Sequence, residues 1–291
     1  MTQLKGIKYV SIGILANILF SSYASAIVIR HDKPEKHYIA DFQDFPALAT
    51  FYNIGVHGTL IAPDWILTAT HAVFCLDQGQ TIKVGNQLAE VQATYNYPTY
   101  EFGGENDLSL VKLKEPITTI EPAQLYRATD ETNKDVWFIG SGGTGTGLTG
   151  QTVSNVENNG VLRKAQNKVI ASNESDLQFV FEKGDAGLEY EGVSGNGDSG
   201  GPAYIKQGGD YFILGVSSRT GSDDKYAGEY GVTELYTRVS AHINWIEQVI
   251  SSDESERAKI SSIGPFLHPG MAQEHMMDTC KSISVTQKRP N

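Results

Sequence analysis

An all-β sandwich or barrel is the architecture this sequence predicts, on three observations. Short apolar and β-branched runs recur between glycine, proline and polar turns. No long run of helical periodicity appears before residue 239, and the crossover helices that a parallel α/β sheet needs are missing. In chain order the predicted strands are Phe45 to Tyr52, Gly58 to Ile61, Trp65 to Leu67, Thr81 to Val84, Val91 to Tyr95 and Leu108 to Leu113. Val136 to Ile139, Gln178 to Phe181, Ala203 to Ile205, Tyr211 to Val216 and Val232 to Val239 follow.

The polar segment Pro122 to Asp135 reads as a connection between two β units, with a boundary near residue 125. Gly140 to Gly150 reads as a flexible surface loop; it lacks the lysine and the following helix of a phosphate-binding loop. From Ser240 to Ile250, Ile243, Ile246 and Ile250 recur at spacings of three and four beside Trp245, which predicts an amphipathic helix packed on one face. The pattern then degrades. Residues 251–291 read as a partly disordered extension unless Cys280 tethers it to Cys75.

At the other end, Lys5 and Lys8 precede an apolar stretch from Tyr9 to Phe20 and the small residues Ala24, Ser25 and Ala26, the pattern of an export signal cleaved after residue 26. The expectation is a secreted or periplasmic protein with no stable membrane insertion after cleavage, since no stretch reaches about twenty apolar residues. The 291-residue chain carries 23 basic and 34 acidic residues, net −11; without residues 1–26 the balance is −13. That surface argues against nonspecific nucleic-acid binding. The two cysteines allow one disulfide, and their spacing alone leaves open whether they pair. The seven histidines show no zinc-protease spacing, so no cofactor is required on this reading, with room left for a structural calcium. Oligomeric state is not encoded in any pattern found.

Three segments carry chemistry. Trp65 to Ala72 holds His71; an imidazole there could take a hydroxyl proton and return it to a leaving amine, or simply sit in the fold. Asn106-Asp107 opens a strand at Leu108 to Leu113, where the Asp107 carboxylate could fix an imidazole tautomer or cap a turn. Gly197-Asp198-Ser199-Gly200-Gly201-Pro202 places a serine between glycines, where Ser199 could attack while the N–H groups of Gly197 and Ser199 receive the oxyanion; taken alone it is an Asp-Ser-Gly turn.

The order His71, Asp107, Ser199, together with LTATHA, NDLSLVKL and GNGDSGGP, resembles the trypsin-like (chymotrypsin) serine peptidases. GTLIAPDWILTATH and YTRVSAHINWI extend the resemblance over roughly residues 27–250. It implies two antiparallel six-stranded barrels, residues 27–125 and 126–250, the second with the C-terminal helix, forming one peptidase domain that acts on peptides or proteins through an acyl-enzyme. It also implies an ion pair between a new Ile27 terminus and Asp198, which cleavage after Ala26 would create; Ile29-Arg30 replaces the two glycines common there. Val56, Ala72 and Gly195 stand where animal relatives often carry cysteines.

For specificity the resemblance points to Val193, Ser194, Ser217, Ser218, Arg219 and Glu234. Val193 occupies the position of trypsin's basic-side-chain anchor, so Glu234 is the carboxylate left to attract a basic residue, unless it pairs with Arg219. Tyr95, Tyr97 and Tyr100 are expected either to line a second subsite or to pack a loop. A catalytically weak peptide-binding protein on this scaffold and a secreted esterase are the competing functions; the intact His71, Asp107, Ser199 and Gly197 weigh against the first.

Overall fold

The computed structural model describes residues 26–221, 226–269 and 273–285. The expected export signal lies outside them except for Ala26. The first strand, β1 (Ile27–Ile29), is followed by β2 (Leu48–Tyr52), β3 (Gly55–Ala62), β4 (Trp65–Thr68), β5 (Thr81–Val84), β6 (Gln87–Asn96) and β7 (Ser109–Leu113). Strands β2 to β7 pair in the order β6-β5-β2-β3-β4-β7, and β6 also pairs with β7, which closes the ring. Closure depends on the length of β6. Residues Gln87 to Glu90 pair with β5, a register shift follows between Val91 and Ala93, and the remainder through Asn96 pairs with β7. Such a shift bends a strand enough to serve two partners around a small barrel. Phe51, Leu60, Ile66, Leu67, Val91 and Leu110 are fully buried inside it.

The second half contains β8 (Gln124–Leu125), β9 (Asp135–Gly140), β10 (Thr144–Thr146), β11 (Gly150–Val153) and the short α1 (Asn155–Asn158). It continues with β12 (Arg163–Lys168), β13 (Ala171–Ser172), β14 (Asp176–Val180), β15 (Gly192–Val193), β16 (Pro202–Gln207), β17 (Asp210–Thr220) and β18 (Thr233–Arg238). The main sheet runs β12-β9-β16-β17-β18-β14-β13, with β8 added parallel to β17.

This corrects the expectation of two closed, six-stranded, wholly antiparallel barrels. Only one of the two sheets closes on itself through strand pairing; the other is an eight-stranded sheet whose ladder runs open from β12 to β13. Its gap is bridged by a side chain: the Asn167 amide on β12 donates to Val180 O at the end of β14 (3.1 Å) and to Gly192 O on β15 (3.0 Å). Two pairings, β8–β17 and β1–β10, are parallel. A third, four-stranded sheet, β11-β10-β1-β15, accommodates β1.

Gly140 to Gly150 is also corrected. It is largely interior, and β10 within it lies beside β1. A Cβ at Gly142 would stand 2.7 Å from Asp198 Oδ1, so the glycine answers a close approach to a buried carboxylate rather than a need for a loose loop.

The C-terminal helix α2 (Val239–Ser251) buries Val239, His242, Trp245, Ile246 and Val249. The buried stripe is thus rotated from the isoleucine stripe, leaving Ile243 and Ile250 half-buried. Beyond it the described residues of the extension form α3 (Glu254–Ile260), capped by the Asp253 carboxylate on Glu256 N (2.9 Å), then β19 (Ser262–Ile263), which adds to the closed barrel beside β6, then α4 (Gln273–Ile283). Cys280 on α4 is bonded to Cys75 (S–S 1.99 Å, Cα–Cα 5.4 Å). Among the described residues no helix is long and apolar enough to cross a membrane.

Candidate active site

His71 sits on a single helical turn, Thr70–Ala72, at the end of β4; Thr70 Oγ1 anchors the turn on Leu108 O at 2.7 Å. Asp107 lies two residues before β7, which pairs with β4, so strand register brings the two residues together across 36 positions of chain. Asn106 takes a left-handed φ of 63°, a conformation asparagine tolerates, and so turns the chain into the strand. The His71 amide donates to Asp107 Oδ1 (3.0 Å), and His71 Nδ1 lies 2.6 Å from Oδ2. A carboxylate oxygen accepts here, so Nδ1 carries the proton and Nε2 keeps its lone pair. Ser218 Oγ donates to the same Oδ2 (2.8 Å), and Thr237 Oγ1 donates to Asp107 O (2.9 Å). Asp107 is buried beneath these donors.

Ser199 follows a turn that only glycine accommodates at position 197: φ is 99°, and a Cβ would come within 2.8 Å of Asn155 Nδ2. The carbonyls of Gly197 and Ser199 accept from the amides of Val56 (2.6 Å) and His57 (2.8 Å). Among the described residues, the N–H groups of Gly197 and Ser199 donate to no protein acceptor. Val56 holds this turn from a φ of 63°, a strained value for a β-branched residue and the kind of local cost that collects at working sites.

His71 and Ser199 line one cleft with Ser194, Ser217, Ser218, Arg219 and Glu234. Of the predicted specificity residues, Val193 is not among them. It pairs with Val28 and is fully buried with Val28, Phe181 and Val232, so it packs a core beneath the cleft. Arg219 reaches Asp176 (2.6 and 3.2 Å) rather than Glu234. Glu234 instead accepts from Ser194 N (3.1 Å) and Ser194 Oγ (2.8 Å); burial, only partly offset by these donors, pushes its carboxyl up to about 8. Gly195, Asn196, Thr220 and Ala227 also line the cleft without having been singled out in the sequence. A larger groove beside Phe42, Ile120 and Tyr211 has neither serine nor histidine in its wall, so chemistry rather than size selects the smaller one.

Behind Ser199, the Asp198 carboxylate is enclosed and accepts from Gly142 N (2.6 Å) and Gly195 N (2.8 Å). Burial pushes it up to about 6, against those amides and the amide of Ile27. Ile27 is therefore beside Asp198 in the continuous chain, with β1 already inserted between β10 and β15 and an unfavourable φ of 60° at this β-branched residue. A second histidine, His57, lies 3.9 Å from Asp198 but has no exposed surface. Its Nε2 accepts from Ser141 N (2.9 Å), and burial lowers it to about 4, so it is a neutral core group.

Tyr95 is buried in the core against Trp65, and half-buried Tyr97 packs on that core through His242 and Trp245. Tyr100 meets Phe266 of the extension. The Ser218 anchor on Asp107 and the approach of the extension to His71 were missed by sequence reasoning, since each rests on contacts across more than a hundred residues.

A family model described as Trypsin matches residues 38–246. The chain is similar to Serine protease SSP1 of Scolopendra subspinipes, 29% identical over 234 residues covering 69% of this chain and 76% of the relative. It is 28% identical to Chymotrypsin-like elastase family member 1 of Canis lupus familiaris over 67% of this chain and 81% of that one. Brachyurin of Leptuca pugilator is 26% identical over 65% and 85%. With the matched span covering most of the chain and enclosing the cleft, the protein belongs to the trypsin family and is a serine endopeptidase.

Proposed function

We propose that His71, Asp107 and Ser199 perform the hydrolysis, with the N–H groups of Gly197 and Ser199 as the oxyanion site. The observation that carries this is the His71–Asp107 contact of 2.6 Å on the wall of the cleft that also holds Ser199. His71 Nε2 takes the Ser199 proton as Oγ attacks the peptide carbonyl. The charge that develops on the carbonyl oxygen is met by two amides not otherwise engaged by the protein. His71 then protonates the departing amine and activates the water that releases the acyl group. Asp107 stabilises the imidazolium formed at each step. A fluorophosphonate should label the processed protein at Ser199, and a diverse peptide library should be cleaved internally. Turnover of simple esters without any peptide cleavage would favour the esterase reading.

Maturation belongs to the same proposal. Cleavage between Ala26 and Ile27, on export to a secreted or periplasmic location, would turn the Ile27 amide beside Asp198 into an ammonium. It would also remove the preceding carbonyl that defines the strained φ. The single disulfide suits such an oxidising compartment. The ion pair would hold Asp198, and through it Gly142, Gly195 and the neighbouring oxyanion turn. Asp198→Asn is expected to lower kcat about 10²- to 10³-fold, the cost of a misplaced oxyanion donor, measured on protein whose N-terminus has been sequenced as Ile27. Full activity with a start beyond Ile27, or in the variant, would remove this step.

For the residue on the acyl side of the cut we propose a basic preference set by Glu234, because Arg219 is engaged by Asp176. With its carboxyl pushed up to about 8, Glu234 is mostly protonated near neutral pH and ionises as pH rises. The ratio of kcat/KM for lysine or arginine over a neutral residue should therefore climb through that range. Glu234→Gln should flatten the climb and cut the ratio about tenfold. A ratio independent of pH in the wild type would contradict the assignment.

A further inference from the structure

The extension does more than close the fold: it reaches the back of His71. After α3, Ser262 and Ile263 pair with Asn96 and Tyr95 on β6, and Asn96 Nδ2 holds Gly264 O at 2.9 Å. The chain then runs through Phe266 to His268, whose Nε2 lies 2.7 Å from the carbonyl of His71. A carbonyl only accepts, so Nε2–H donates. Downstream, Cys280 ties α4 to Cys75, four residues beyond His71. This segment is thus fixed on both sides of its contact with His71.

Its side chains build an aromatic ledge with two parts of the closed barrel. His268 packs on Phe74 (5.5 Å between ring centres), on Phe102 (4.7 Å) and near the His71 ring itself (6.4 Å); Phe266 packs on Tyr100 (5.1 Å) and stacks with Phe102 (6.5 Å). The ledge is not sealed. Phe102 is 51% and Leu267 50% exposed, while Phe74, Phe266 and His268 are half-buried. None of these residues lines the Glu234 pocket, so the ledge is a separate apolar surface adjoining His71.

We infer that the C-terminal extension supplies, through Phe266 and His268, the wall of a subsite that selects an aromatic or large aliphatic side chain in the second substrate residue on the acyl side of the cut. An extended substrate lying along Ser217 to Arg219 of β17 alternates its side chains. When one points toward Glu234, the preceding one projects away from it; His71 lines the same cleft, and the ledge that packs beside the His71 ring is the apolar surface we assign to that side chain. Apolar contact with a half-buried aromatic surface there removes both partners from water. His268 also acts as a positioning residue, fixing the His71 carbonyl and hence the floor on which that side chain rests.

The inference rests on the catalytic assignment of His71 and Ser199, and the test separates the two. A fluorophosphonate that failed to label the wild-type protein would sink that assignment itself. With labelling established, a peptide library varied at each position around the cut is compared between wild type, Phe266→Ala, His268→Ala and Phe102→Ala. The expected result is about a tenfold fall in the kcat/KM ratio of phenylalanine or leucine over alanine at the second acyl-side position, with the preference at the first position kept. Phe102 is exposed and outside the extension, so its variant carries the test if the other two do not fold. A profile unchanged at that position, a loss uniform across all its residues, or a preference that changes only on the leaving side would overturn it.

Discussion

Ser199→Ala is expected to reduce kcat on a peptide substrate by about 10⁶-fold and to abolish fluorophosphonate labelling. The variant loses the atom that becomes acylated, while the two free amides and the cleft stay in place. Residual turnover of about 10³ to 10⁴ over the uncatalysed reaction should therefore persist, with KM little changed. Adding His71→Ala to this variant should cost little more, because a base without its nucleophile has nothing to deprotonate. Label attached anywhere but Ser199, or peptide cleavage that survives its loss at near wild-type rates, would leave the cleft without the role assigned to it.

The second large effect is expected at Asp107, a group that touches no substrate. Asp107→Asn should lower kcat about 10⁴-fold with KM held within about twofold. Asp107 accepts from the His71 amide, from His71 Nδ1 and from Ser218 Oγ, and all three want an acceptor. An amide whose oxygen takes the Oδ1 place to satisfy the His71 N–H puts its NH2 in the Oδ2 place, where it presents hydrogens to Nδ1 and to Ser218 Oγ. The imidazole then carries its proton on Nε2, where it cannot receive one from Ser199. Nearly isosteric, the replacement should leave the fold intact, which unchanged thermal unfolding would show. A fall of tenfold or less would mean that another group sets the tautomer.

How much of this was legible in the sequence depends on where each residue's partners lie. The apolar strands of the closed barrel could be read because continuous apolar runs and burial coincide in them, as in Trp65 to Leu67 and Leu108 to Leu113. Strand β12 was not, because its inward positions are Arg163, Ala165 and Asn167, and the polar two are buried against polar partners, among them Asn158, Glu35 and Gly192 O, that apolar periodicity does not reveal. The same strand explains the over-reading of a second closed barrel: closure there passes through one asparagine side chain, which periodicity cannot show. His71, Asp107 and Ser199 could be singled out as candidates because each sits in a dense local motif. That Val193 pairs with Val28 and packs with Phe181 and Val232 was not legible, because counting back from Ser199 gives a position in the chain and not the strand it joins. Gly140 to Gly150 looked like a loose turn since glycine marks both freedom and tight approach, and only the position of Asp198 distinguishes them.

The pairing of β19 with β6 means that the first barrel receives its outermost strand from residues 262–263, long after its other six have been synthesised. A chain still emerging would leave Tyr95 and Asn96, at the end of β6, without this second partner until residues 262–263 arrived, and the Cys75–Cys280 bond could form only later still. Support for His71 from residues 262–268 is therefore added only after every other strand of the barrel and every residue lining the cleft has been synthesised.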